Sequence, residues 1–199
     1  MATKAELRRV IRDRRAALPD SVRRDADVRR SERTLAALRW LRPACVAAYW
    51  AVAPEPDTAA LIDALARAGV EILLPVVTPA PGESRRTALA TPRWAVWRGR
   101  DYVRASWAGF LEPTGPVLPG SALQRAGVAI LPGLAGTRDG RRLGQGGGWY
   151  DRVLAVAPGV RRWLLLYADE VVDELPADPW DQGVDAIVTE EEWIDVPRG

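Results

Sequence analysis

Histidine is absent from all 199 residues, which removes imidazole acid–base chemistry and His-ligated metals from consideration. Lysine is nearly absent: of 28 basic residues, 27 are arginine and Lys4 stands alone. Where arginine serves every ordinary need for charge, a surviving ammonium suggests a use for its compact, mobile form. The single Cys45 cannot close an internal disulfide, which fits a reducing cytoplasm. No run of 18 apolar residues occurs, and the chain opens on the charged segment Met1-Ala2-Thr3-Lys4. Neither a membrane span nor a signal peptide is expected. Any catalysis must draw on carboxylates, arginines, hydroxyls, Lys4 or a metal held by oxygen.

What is present reads as one globular domain over residues 1–199, with 48% hydrophobic and 27% charged residues. A net charge of +2 is no nucleic-acid signature, although residues 8–33 hold many arginines. Thr3-x-x-Glu6 has the capping-box spacing, and Leu7, Val10, Ile11 and Leu18 follow at helical intervals, predicting a helix over 4–17. Lys4 and Arg8 then lie one turn apart on one face. A lysine in the first turn opposes the helix dipole unless an anion docks there. A second, arginine-rich helix is expected over 22–39, ended by Pro43, its charges most simply a solvated face.

Short apolar runs predict strands at 46–50, 72–76, 128–131, 163–167 and 185–189, with a helix over 58–68 closed by Gly69. Residues 78–92 are expected as a loop, with short strands near 87–90, 94–97 and 102–104. A strand–helix–strand unit of apolar strands argues a three-layer α/β/α sandwich with a mainly parallel sheet. Ligands in such sheets bind at the carboxyl ends of the strands. Residues 50–57, 132–151 and Thr189 follow proposed strands, so they should share one rim.

The densest signal is Arg142-Leu143-Gly144-Gln145-Gly146-Gly147-Gly148-Trp149-Tyr150-Asp151. Four glycines in five residues bring backbone N–H groups close to a ligand, and a helix is expected to open near Val153. A glycine loop feeding a helix favours an anion, phosphate first. A dinucleotide G-x-G-x-x-G frame from Gly144 would put Trp149 at the third glycine, which counts against a nicotinamide-dependent oxidoreductase. A lysine-bearing P-loop is excluded, since Lys4 is the only lysine.

With Leu131-Pro132-Gly133-Leu134-Ala135 before it, this motif resembles that of the 5-formyltetrahydrofolate cyclo-ligase family, also called methenyltetrahydrofolate synthetase. The likeness includes Lys4 and Arg8, Glu55-x-Asp57-Thr58, Glu112-Pro113, and Pro179-Trp180-Asp181 before Val184-Asp185 and Val188-Thr189-Glu190, so it spans nearly the whole chain. It implies an ATP- and Mg²⁺-dependent enzyme that cyclises 5-formyltetrahydrofolate to 5,10-methenyltetrahydrofolate; beside it, a cytoplasmic monomer with no nucleic-acid or membrane partner is expected. The implied nucleotide contacts are Lys4, Arg8, Arg142, Gly144, Gln145, Gly146, Gly147, Gly148, Trp149 and Tyr150. Asp151 and Asp181 look like the Mg²⁺ ligands, with Arg142 and Asp151 catalytic. Trp50, Glu55, Trp149 and Tyr150 look like the folate contacts.

Blander readings stay open beside these. Arg142 could pair with Asp139, Asp151 could be a helix first-turn carboxylate, and Asp181 a turn residue. Glu55 could be a solvated loop acid and Trp50 a core residue. The chain also departs from the family pattern: Gly136-Thr137 replaces Phe-Asp, Trp180 replaces a histidine, and Gln145 and Gly147 stand where basic residues are frequent. A catalytically altered relative that only binds ATP or folate is the alternative.

Overall fold

Helix α1 (Lys4–Ala17) starts on the expected capping box: Thr3 Oγ1 accepts from the Glu6 N–H at 3.2 Å, and the Glu6 carboxylate accepts from the Thr3 N–H at 2.8 Å. The computed structural model describes residues 2–197. Helix α2 (Asp20–Leu41) ends on Arg42 in the left-handed region (φ 49°), just before the expected breaker Pro43. The chain continues through β1 (Cys45–Ala47), α3 (Ala59–Arg67), β2 (Glu71–Val76), α4 (Arg85–Ala90), β3 (Arg93–Val96), β4 (Val103–Ala105), β5 (Leu111–Pro113) and β6 (Leu118–Pro119). After a 3₁₀ turn at Gly120–Arg125 come β7 (Val128–Pro132), β8 (Ala135–Gly136), β9 (Arg142–Leu143), α5 (Trp149–Ala155), β10 (Arg161–Leu165), β11 (Ala186–Val188) and β12 (Trp193–Asp195).

Eight strands form the main sheet in the order β12-β11-β10-β7-β1-β2-β3-β6. The five from β11 to β2 run parallel; β12 on one side and β3 on the other run against them, and β6 pairs antiparallel with β3. Alternation along the parallel strands explains why both faces are covered. Val46, Ile72, Leu74, Val128, Ile130, Trp163 and Leu165 point to one side, where Leu38 of α2 and Leu61, Ile62 and Leu65 of α3 meet them. Ala47, Leu73, Ala129, Leu131, Leu164 and Ile187 point to the other, against Leu123 and the α5 residues Trp149, Val153 and Leu154. The sandwich with a mainly parallel sheet is therefore present.

From β1 the chain winds outward through β2, then returns to β7 and winds the opposite way through β10 and β11. The strand order thus reverses between β1 and β7, and their carboxyl ends diverge into a crevice. Helix α1 lies across the β8–β9 hairpin, packing Ile11 against Leu134, Ala135, Leu143 and Leu175. Beneath it, buried Arg15 holds Glu170 through two bonds of 2.6 and 2.7 Å and reaches the Gly133 carbonyl at 2.7 Å.

Several local expectations give way. The helix after the glycines opens at Trp149, not near Val153, because Gly148 takes a left-handed conformation (φ 63°) and caps it. That places Trp149 and Val153 four residues apart on the buried face. The loop expected over 78–92 contains α4, whose N-cap Ser84 accepts from the Thr87 N–H at 3.1 Å, so residues 87–90 are helix rather than strand. The first strand stops at Ala47, and Tyr49 turns away to donate from its hydroxyl to the Pro56 carbonyl at 2.8 Å. The β8–β9 hairpin and the short edges β6 and β12 had no signal in apolar runs.

Candidate active site

The crevice at the strand-order reversal is a cleft of about 900 Å³. That is near the upper end of the roughly 300–1,000 Å³ usual for small-molecule sites. All fourteen residues singled out from sequence line it: Lys4, Arg8, Trp50, Glu55, Arg142, Gly144, Gln145, Gly146, Gly147, Gly148, Trp149, Tyr150, Asp151 and Asp181. Helix α1 brings Lys4 and Arg8, the segment after β1 brings Trp50 and Glu55, and the loop between β9 and α5 brings the glycines. Pro75, Val77 and Phe110 add apolar wall.

Lys4 does meet anions at the helix start. Its Nζ donates to Asp178 Oδ2 at 2.6 Å and Asp181 Oδ2 at 2.5 Å. Burial pulls the ammonium downward, but the two carboxylates outweigh it and leave Lys4 above its ordinary value. Burial likewise pushes the Asp181 carboxyl up, yet the Asp178 N–H, the Lys4 ammonium and the Arg142 charge hold it below the usual carboxylate range. Asp178 was not legible in advance; it faces Lys4 only because a turn, closed by the Asp181 N–H on the Asp178 carbonyl at 3.0 Å, folds the two acids together.

Arg142 pairs with Asp151, its Nη2 donating to Oδ1 at 2.6 Å, while Asp139 pairs with Arg141 instead. The Arg142 Nε is buried with no partner among the described residues. Both hydrogen bonds that Asp151 accepts fall on Oδ1, and both that Asp181 accepts fall on Oδ2. Among the described residues each acid therefore keeps one uncommitted oxygen. Among the described residues no three His, Cys, Asp or Glu are grouped to hold a metal. Two acids with one spare oxygen each suit a hard cation that keeps its waters and takes further ligands from phosphate.

The glycine loop is tied down from several sides. Gly146 and Gly148 have φ of 105° and 63°, which side chains other than glycine rarely adopt. Arg8 Nε donates to the Gly144 carbonyl at 2.9 Å, and Arg12 Nη2 to the Gln145 carbonyl at 3.2 Å. Gln145 Nε2 in turn donates to Glu55 Oε1 at 3.0 Å.

The aromatic groups differ in how open they are. Trp149 is 7% exposed and makes T-shaped contacts with Trp94 and Tyr150, so little of its ring is open to the cleft. Trp50 is half-buried, tilted against Trp97 at 5.0 Å with the Arg100 guanidinium 5.4 Å from its ring centre. Burial raises the Tyr150 hydroxyl far above its usual range, keeping it a neutral donor. Of the departures from the family pattern, Gly136 and Thr137 sit in the β8–β9 region and do not line the cleft, whereas Trp180 does.

A family model described as the 5-formyltetrahydrofolate cyclo-ligase family matches residues 1–190. The chain is 33% identical over 191 residues to a 5-formyltetrahydrofolate cyclo-ligase of Mycolicibacterium smegmatis, covering 94% of this chain and 93% of the relative. It is 30% identical over 182 residues to the Escherichia coli K12 protein of the same name, covering 90% and 96%. An NMR structure of Aquifex aeolicus 5,10-methenyltetrahydrofolate synthetase superposes with a TM-score of 0.82 at 24% identity, covering 98% of this chain and 94% of that one. A 5,10-methenyltetrahydrofolate synthetase from Mycoplasma pneumoniae gives 0.68 at 20% identity, covering 96% and 100%. These two structures share the fold.

Proposed function

The chain belongs to the 5-formyltetrahydrofolate cyclo-ligase family, and from that premise we propose that it converts 5-formyltetrahydrofolate to 5,10-methenyltetrahydrofolate, consuming ATP with Mg²⁺. The formyl carbon is a poor electrophile because nitrogen donates into its carbonyl. In the proposed first step the formyl oxygen attacks the γ-phosphorus, the bond to the bridging oxygen breaks, and ADP departs. The product is an imidoyl phosphate. The N10 amine then attacks the formyl carbon and loses its proton. The carbon–oxygen bond breaks, and phosphate leaves with the former formyl oxygen as the methenyl bridge closes.

Phosphoryl transfer asks for positioning and charge neutralisation more than for a protein nucleophile. That requirement suits a chain without histidine. In this reading the amides between Gly144 and Gly148 cradle the polyphosphate, and Lys4 and Arg8 bind it from α1. Arg142 neutralises the transferring oxygens. Asp151 and Asp181 would hold the magnesium ion, which neutralises phosphate charge when bound. Glu55 accepts from the pterin's amide-like donors, so Gln145 must release it, while Trp50 and the Trp149–Tyr150 pair flank the folate rings. A cytoplasmic monomer without nucleic-acid partners completes the reading, and among the described residues no helix is long and apolar enough to cross a membrane.

The observation that carries the proposal is the convergence of Lys4, Arg8, Arg142 and the glycine loop on one cleft at the strand-order reversal. Simultaneous measurement of ADP release and methenyl absorbance tests it, with one ADP expected per product formed. The alternative, a relative that binds without turnover, rests on exposed Trp180 at the cleft in place of a histidine. Binding of both substrates with neither product would favour it.

A further inference from the structure

Three of the loop's four glycines lie under a guanidinium group, Gly147 being the exception. A Cβ at Gly144 would stand 2.9 Å from Arg142 Nη1, and one at Gly146 would stand 3.4 Å from Arg8 Cζ. At Gly148 it would stand 2.9 Å from Arg152 Nη1. Three arginines thus cover these glycines, from β9, α1 and α5, beside Arg12, which holds Gln145. The proposed function employs the first two. Arg152 has no part in it, although it lines the same cleft.

The charges of these groups are met unequally. Arg142 meets Asp151, and Lys4 meets Asp178 and Asp181. Among the described residues, Arg8 and Arg152 meet no carboxylate. Arg152 Nη2 donates to two neutral carbonyls, Gly147 at 2.8 Å and Leu89 at 2.9 Å. Hydrogen bonds from a guanidinium to an anionic phosphate oxygen are roughly twice as strong as neutral ones and are often bidentate. A phosphate in the loop would therefore draw Arg152 away from Gly147 and Leu89. We propose that Arg152 is a third phosphate-binding arginine, held on these carbonyls until the polyphosphate arrives. This rests on the nucleotide reading of the glycine loop.

Calorimetric titration of the whole protein with Mg²⁺–ADP, and separately with 5-formyltetrahydrofolate, tests the assignment. Arg152→Gln should weaken ADP about tenfold and leave the folate affinity unchanged. Arg152→Lys, which keeps a point charge without the planar fork, should recover part of the loss. Unchanged ADP affinity in Arg152→Gln overturns the proposal. So does an equal loss for ADP and folate, the signature of a residue that merely holds the loop in shape. If the wild type takes up no ADP, the nucleotide reading itself fails; if it does and Arg152→Gln matches it, only the Arg152 assignment fails.

Discussion

Asp151 answers to Arg142 at 2.6 Å and to the Gln182 N–H at 3.2 Å, so its charge serves a neighbour as well as the proposed cation. Asp151→Asn keeps the shape and removes the charge. We expect kcat to fall by at least about a hundredfold, equivalent to roughly 2.7 kcal/mol of transition-state stabilisation, with the circular dichroism spectrum unchanged. Normal Mg²⁺-dependent turnover would remove Asp151 from the metal role. Lys4→Met deletes the ammonium that Asp178 and Asp181 share. It should weaken ADP more than 5-formyltetrahydrofolate in equilibrium titrations. A larger loss for folate would mean that α1 serves the other substrate.

Among the elements, the β4–β5 hairpin depends on one buried carboxylate. Glu112 is fully buried and accepts from the Val77 N–H at 2.8 Å, the Thr78 N–H at 3.1 Å and Arg104 Nε at 2.7 Å. Burial alone would raise its pKa, but these donors hold it below its ordinary value of 4.5. A folded-state pKa below the unfolded one gives stability that is present above pH 4.5 and lost as pH falls through the lowered value. Glu112→Gln should cost about 2 kcal/mol at pH 7 and flatten the acid limb of the stability curve. An acid limb identical to wild type would show that other carboxylates govern it. Elements with strong local signals were legible in the sequence: the capping box fixed the start of α1, and apolar runs marked the parallel strands. Helix α4 was not, because its six residues Arg85–Ala90 are too few for a helical apolar period and start on the Ser84 cap. Edge strand β12 has only three residues, and its pairing with β11 is a tertiary fact. In the site, residue types and glycine spacing could be read, but the partners could not. Asp178 reaches Lys4, and Arg152 reaches Leu89, only after distant elements have packed.

At the scale of the whole molecule, one sheet of eight strands carries both the core and the cleft, so unfolding in urea should be a single transition with coincident fluorescence and circular dichroism curves. Two separated transitions would contradict one domain. A ligand that binds only the folded chain stabilises it by mass action, about 2.7 kcal/mol at a hundredfold excess over Kd. For a chain of this size that should raise Tm by about 5–10 °C with Mg²⁺–ADP. No shift at saturating ligand would count against a nucleotide site.

The ion pair between Lys4 and Asp181 joins residues 177 positions apart. A nascent chain cannot form it until almost two hundred residues have left the ribosome, so catalytic competence should come as a late event of biosynthesis. If Lys4 serves as proposed, a protease that clips the first few residues should silence the molecule while leaving its sheet intact.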